Sequence, residues 1–279
     1  MNFYYFSGGN HIDNDRIRKL EKSGFTGVLF KYNTWVGDYF TRIARDIDDS
    51  EKIVYMVAMR PYAVSPQYLN MISHAIETIS KNRLQINLIS GHVKGNEIDI
   101  GGILGEVNDN STNIERSNYL IKYLEELSRM EKEKTYLHSV DFFVTTSNPY
   151  VFNTAKSLNQ KMIIPFREYK QGYWTEYQDY KEWGMNTQKQ EKISHGEKIN
   201  LEGTTVMISV APVLRKNKEE LEKVSRLKTT DDTFYATYEE FDNFIENLKN
   251  KGIEYIMLHP WPLKEEEHII NYVNYFKQK

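Results

Sequence analysis

Eight short apolar runs alternate with amphipathic segments along 279 residues, and no Pro/Gly/Ser-rich linker divides them; this pattern predicts one (β/α)8 barrel of the TIM-barrel class. Several runs are apolar throughout, as strands buried on both faces must be. No G-x-G-x-x-G follows the first run, which argues against the rival, a doubly wound open sheet. A single domain spanning residues 1–279 is expected, and a chain near this length buries roughly 75% of its unfolded surface.

The expected strands are Phe3–Phe6, Gly27–Phe30, Ile53–Met59, Leu84–Ile89, Val140–Thr145, Lys161–Pro165, Thr204–Val210 and Ile253–Leu258. Helix signals lie between them. Ser65-Pro66 supplies an N-cap and a first-turn proline ahead of a stripe of Leu69, Ile72, Ile76 and Ile79. Thr112 with Glu115, and Thr237 with Glu240, have capping-box spacing, and each pair precedes an apolar stripe. A short helix is expected near Tyr150–Leu158, and Ile269, Ile270, Val273 and Phe276 mark a last helix. The stretch Phe166–Gly203 is too long for a plain loop and is expected to contain helix around Thr175–Lys192.

Charge and composition narrow the function. There are 36 Lys+Arg against 39 Asp+Glu, a net charge of −3, which argues against nucleic acid as the main partner. Cysteine is absent, so disulfides, thiolate metal sites and Cys nucleophiles are excluded. No signal peptide or run of 18 apolar residues is visible, so a cytoplasmic protein without a membrane span is expected. There is no G-x-S-x-G, no G-x-x-x-x-G-K-[ST] and no H-E-x-x-H. The 7 His form no local metal pattern, and no metal is expected.

Chemistry in such a barrel sits on the loops that follow the strands. These begin at Ser7, Lys31, Arg60, Ser90, Thr146, Phe166, Ala211 and His259. The fourth, Gly91–Asn110, carries four glycines and reads as either a lid or a surface excursion. Thr145-Thr146-Ser147 before a helix start suits a phosphate, or is a plain cap. Asn87, an amide in an apolar strand, needs a partner, either a ligand edge or a neighbouring strand.

Two segments at matching separation carry a resemblance. Tyr55-Met-Val-Ala-Met-Arg-Pro61 is followed by Ser65-Pro66 and then by Asn82-Arg-Leu-Gln-Ile-Asn-Leu-Ile-Ser-Gly91. They resemble the V-A-x-R-P strand, the S-P helix start and the G-R-L-x-I-N-x-V-T-G strand of the bacterial luciferase-like flavin-dependent monooxygenases, most of all the alkanesulfonate monooxygenase branch. Glu115-Arg116, Gly252-Ile253-Glu254 and Leu263–Glu266 resemble further family motifs. The resemblance implies a (β/α)8 barrel that binds reduced FMN at its C-terminal face and uses O2 to oxygenate a small organic substrate. It also implies a separate flavin reductase and a homo-oligomer, commonly a dimer.

Carried over by position, Asn87 and Ser90 fall along the cofactor ring, Arg116, Thr146 and Ser147 fall at its phosphate, and Ala58 is a further cofactor-binding candidate. Ser117 replaces the tyrosine expected after Arg116. Arg60 and His259 are the candidate catalytic groups beside substrate. The branch's I-R-L-H becomes Ile208-Ser209-Val210-Ala211, its second-strand cysteine aligns with Val36, and the insertion before the last strand is shortened to Leu214–Thr237. An alkanesulfonate substrate is therefore not expected. Trp35, Tyr62 and Trp261 give the expected mouth an aromatic cast. Two alternatives share the fold: a hydride-transferring oxidoreductase using F420 or FMN, and a flavin-binding protein without turnover.

Overall fold

The computed structural model describes the chain outside residues 8–12, 33–37, 91–112, 134–139, 182–187, 225–229 and 261–263. Its strands are β1 (Asn2–Phe6), β2 (Gly27–Phe30), β3 (Val54–Met59), β4 (Leu84–Ile89), β5 (Asp141–Thr145), β6 (Lys161–Pro165), β7 (Tyr173–Lys181), β8 (Gln188–Lys198), β9 (Val206–Arg215), β10 (Thr233–Thr237) and β11 (Tyr255–Leu258). β1 to β6 pair in sequence, all parallel. β6 then pairs with β9, β9 with β11 and β11 with β1, which closes a barrel of eight strands in one domain. All eight expected strands are there.

The helices are α1 (Asn14–Lys22), α2 (Tyr39–Asp46), α3 (Pro66–Ser80), α4 (Asn113–Lys132), α5 (Pro149–Ser157), α6 (Phe166–Gln171), α7 (Lys218–Glu222), α8 (Tyr238–Asn250) and α9 (Glu266–Gln278). Ser65 caps α3 by accepting from the Tyr68 N–H, with Pro66 in the first turn. Thr237 and Glu240 form the expected capping box of α8. The other expected box includes Thr112, outside the described residues.

Three expectations are corrected. The segment expected to be helical around Thr175–Lys192 is the antiparallel ribbon β7–β8. Its base is fixed by Trp174, buried 5.0 Å from the Phe152 ring, and by the buried Glu168 carboxylate, which accepts from the Thr175 N–H at 2.9 Å. The seventh barrel strand does not end at Val210: β9 runs on to Arg215, and β10 pairs along Ala211–Arg215, so Ala211 begins no loop. Ile79, expected on the buried stripe of α3, is 44% exposed. Asn70, Ser73, Glu77 and Ser80 are buried instead. Glu77 and Ser80 turn inward because they accept from the Leu84 and Arg83 N–H groups at the start of β4.

Apolar side chains fill two layers. One lies between the sheet and the helices; the other fills the barrel, with Tyr4, Leu29, Met56, Phe143, Met207 and Met257 among its residues. Gly27 belongs to this inner layer for a steric reason. A Cβ there would lie 2.5 Å from the Tyr4 ring. Below that ring the Tyr4 hydroxyl donates to Gln85 Oε1 at 2.9 Å, and Lys161 Nζ lies 2.5 Å from Asp141 Oδ2. Apolar packing and this polar floor fill the N-terminal end, which leaves the C-terminal end for a site.

Candidate functional site at the barrel mouth

Period-two alternation decides which side chains reach the mouth. On β4, Gln85, Asn87 and Ile89 share the inward phase; on β11, Tyr255, Met257 and then His259 share it; on β9, Met207 and Ser209 do. Asn87 is 3% exposed and its Oδ1 accepts from the Thr145 hydroxyl at 2.9 Å. That bond orients the amide, whose Nδ2 has no partner among the described residues. Ala58 is the register partner of Asn87 on β3, and its single methyl leaves room beside the amide. Ser90 follows β4 and is part-buried.

The turn after β5 is built by its own side chains. The Asn148 N–H donates to Thr146 Oγ1 at 2.9 Å, and Asn148 Oδ1 caps α5 by accepting from the Tyr150 N–H. The Thr146 hydroxyl is thus committed to the turn. Asn148 Nδ2 lies 3.3 Å from Ser117 Oγ, which sets the first turns of α4 beside those of α5 and brings the buried Arg116 to this corner. Ser147 faces an arginine that sequence reasoning missed. Arg167, at the start of α6, reaches to 3.5 Å from Ser147 Oγ while its backbone N–H donates to Asp232.

Arg60 follows β3, is 8% exposed and lies 5.6 Å from the Tyr32 ring centroid. His259 sits on the other side of β1 and β2 from it in the strand order. Its ring stacks on Phe6 at 4.2 Å with 21° between planes, and its Nε2 is hydrogen-bonded to Ser209 Oγ. Burial pushes the imidazole pKa down to about 4, so the ring is neutral near pH 7. The mouth therefore has a polar rim over an apolar barrel, with Phe6, Tyr32 and Ile89 packed against the inner layer. Phe6, Tyr32 and Ser209 were also absent from the expected site, though the alternation of β1 and β9 points Phe6 and Ser209 inward; Tyr32 lies past the end of β2. Tyr62 is buried, and Trp35, Trp261 and the Gly91–Asn110 segment lie outside the described residues. Among the described residues no group of three or more His, Asp or Glu is placed to hold a metal, and no helix is long and apolar enough to cross a membrane.

No family model and no curated protein matches the chain. Solved structures do. The coenzyme F420-dependent tetrahydromethanopterin reductase from Methanopyrus kandleri aligns over 98% of this chain and 97% of its own, with a TM-score of 0.63 and 11% identity. The EDTA monooxygenase from Chelativorans sp. BNC1 aligns over 100% and 93%, with a TM-score of 0.65 and 10% identity. The monooxygenase RslO1 from Streptomyces bottropensis aligns over 99% and 98%, with a TM-score of 0.59 and 12% identity. This chain shares their fold along its whole length.

Proposed function

We propose that this protein is a luciferase-like flavin-dependent monooxygenase that binds reduced FMN at the C-terminal mouth of the barrel. The observation that carries the reading is Asn87: a buried amide, oriented by Thr145, with its NH2 unpartnered in the described mouth. A flavin ring edge, which carries carbonyl oxygens and ring nitrogens, suits that donor. The polar corner at the α5 start suits a phosphate, with Ser147 and Arg167 together and Arg116 nearby. The likeness to two monooxygenases over nearly the whole of each chain supports the same reading.

The cofactor, when bound, supplies two electrons and reacts with O2 so that one oxygen atom reaches the substrate. The chain's part is positioning and exclusion of water. Ala58, Asn87 and Ser90 hold the ring; Ser147, Arg167 and Arg116 hold the phosphate; Thr146 shapes the turn that presents Ser147. Phe6, Tyr32 and Ile89 keep the ring's surroundings apolar. Arg60 and His259 flank the substrate space. His259 is neutral at pH 7 and acts there as a hydrogen-bond partner, not as an imidazolium. A separate reductase would supply the reduced flavin, and the substrate is a small molecule other than an alkanesulfonate.

A second reading has its own support. The F420-dependent reductase covers this chain as fully as the monooxygenases do, so hydride transfer with F420 or FMN is the alternative. Oxygen electrode traces separate them. The monooxygenase reading predicts that the protein, given reduced FMN and a panel of candidate substrates, couples O2 uptake to an oxygenated product. Saturable binding of F420 with no coupled O2 uptake would move the assignment to the hydride-transfer enzyme.

A further inference from the structure

His259 is held on two sides in a way that the proposed chemistry does not require. Its ring lies flat on Phe6, and its Nε2 is joined to the hydroxyl of Ser209 on the adjacent strand. Both residues have the inward phase of their strands, directly above Met207 and Met257 of the barrel interior. Ring rotation would break the stack and the hydrogen bond together. Nδ1 is left without a hydrogen-bond partner among the described residues.

The partner chosen for Nε2 has a chemical consequence. A carboxylate or a backbone carbonyl would fix the ring as one tautomer. A serine hydroxyl both donates and accepts. If Ser209 donates to Nε2, Nδ1 carries the hydrogen and donates. If Ser209 accepts from Nε2–H, Nδ1 is an acceptor. The pair can therefore meet a donor or an acceptor without changing its net charge, and charge is what it does not offer. A dehydrated sulfonate, phosphate or carboxylate needs a cation or a dense set of donors.

We propose that Ser209 and His259 form a neutral reader of the substrate's polar group, selecting an uncharged carbonyl, hydroxyl or amide on a largely apolar molecule, with Ser209 acting as the positioning residue. This rests on the mouth being the substrate site and names the class of substrate it takes. The burial that keeps the imidazole neutral agrees with it.

The test is nitrogen-resolved NMR of the His259 ring in the full chain, together with calorimetric titration of four probes of one chain length: octan-2-one, octan-1-ol, octanamide and octane-1-sulfonate. The proposal predicts that the three neutral probes shift the His259 nitrogen signals and that the sulfonate does not. The ketone, which can only accept, should hold the hydrogen on Nδ1, whereas the alcohol can pair with either tautomer. Ser209→Ala should weaken the neutral probes about tenfold, the loss of roughly one hydrogen bond, and Ser209→Thr should restore most of that loss. A response to the sulfonate, a response to none of the four, or equal affinities in the wild type and Ser209→Ala would overturn it. FMN titration of the same samples separates this proposal from the broader one. Loss of FMN binding alone refutes the flavin reading, whereas a silent His259 in a protein that binds FMN refutes the reader.

Discussion

Single side chains at the mouth differ in whether their own backbone uses them. Thr146 and Ser147 are adjacent in sequence but differ here. Thr146 Oγ1 receives the Asn148 N–H, while Ser147 faces Arg167. The difference was hidden in the sequence, because a hydroxyl before a helix serves equally as cap or ligand. Arg167 was hidden for another reason, since it approaches from the start of α6, on the next barrel unit. We therefore predict that Ser147→Ala and Arg167→Ala weaken FMN binding more than riboflavin binding, by roughly 1.5–3 kcal/mol for each charged hydrogen bond lost. Thr146→Ala should act mainly on stability. Fluorescence titration with both flavins checks this, and equal losses for the two ligands would show that the corner does not hold phosphate.

Elements with an apolar sequence pattern were legible and the β7–β8 ribbon was not. Gly27–Phe30, Leu84–Ile89 and Lys161–Pro165 have the expected bounds, because strands covered on both sides are mostly apolar. The β7–β8 ribbon carries polar residues at both phases, so neither a period of two nor one of 3.6 marks it. Its anchor is legible only in three dimensions. Trp174 is 1% exposed against Phe152, while its neighbour Tyr173 is 44% exposed. Trp174→Ala should cost about 3–5 kcal/mol, whereas Tyr173→Ala should stay within about 0.5 kcal/mol. Urea unfolding of the two variants decides it, and similar costs would mean that the ribbon is not fixed through its base. A rule of apolar stripes also misplaced Ile79, because polar contacts with the start of β4 set the rotation of α3.

At the scale of the whole molecule, eight strands and a filled barrel leave one end for chemistry, and that end has a pH signature. The folded His259 has a pKa near 4, against 6.5 for an ordinary histidine. Between those values the unfolded chain binds a proton that the folded chain does not, so stability falls as pH drops through this window. His259→Phe keeps a ring on Phe6 and should flatten the dependence between pH 7 and pH 5. Equal slopes in the two proteins, from denaturant unfolding at both pH values, would place the imidazole in solvent instead.

The central claim is that a flavin sits at the C-terminal mouth with its ring on Asn87. Titration of FMN into the wild type and Asn87→Ala tests it most directly, because Asn87 is buried in the inner wall and its amide is held by Thr145 alone among the described residues. The account predicts saturable FMN binding to the wild type, and a loss of roughly 5- to 30-fold in folded Asn87→Ala, the worth of about 1–2 kcal/mol of hydrogen bonding. Undetectable FMN binding to the folded wild type, or equal affinity in the two proteins, would contradict it.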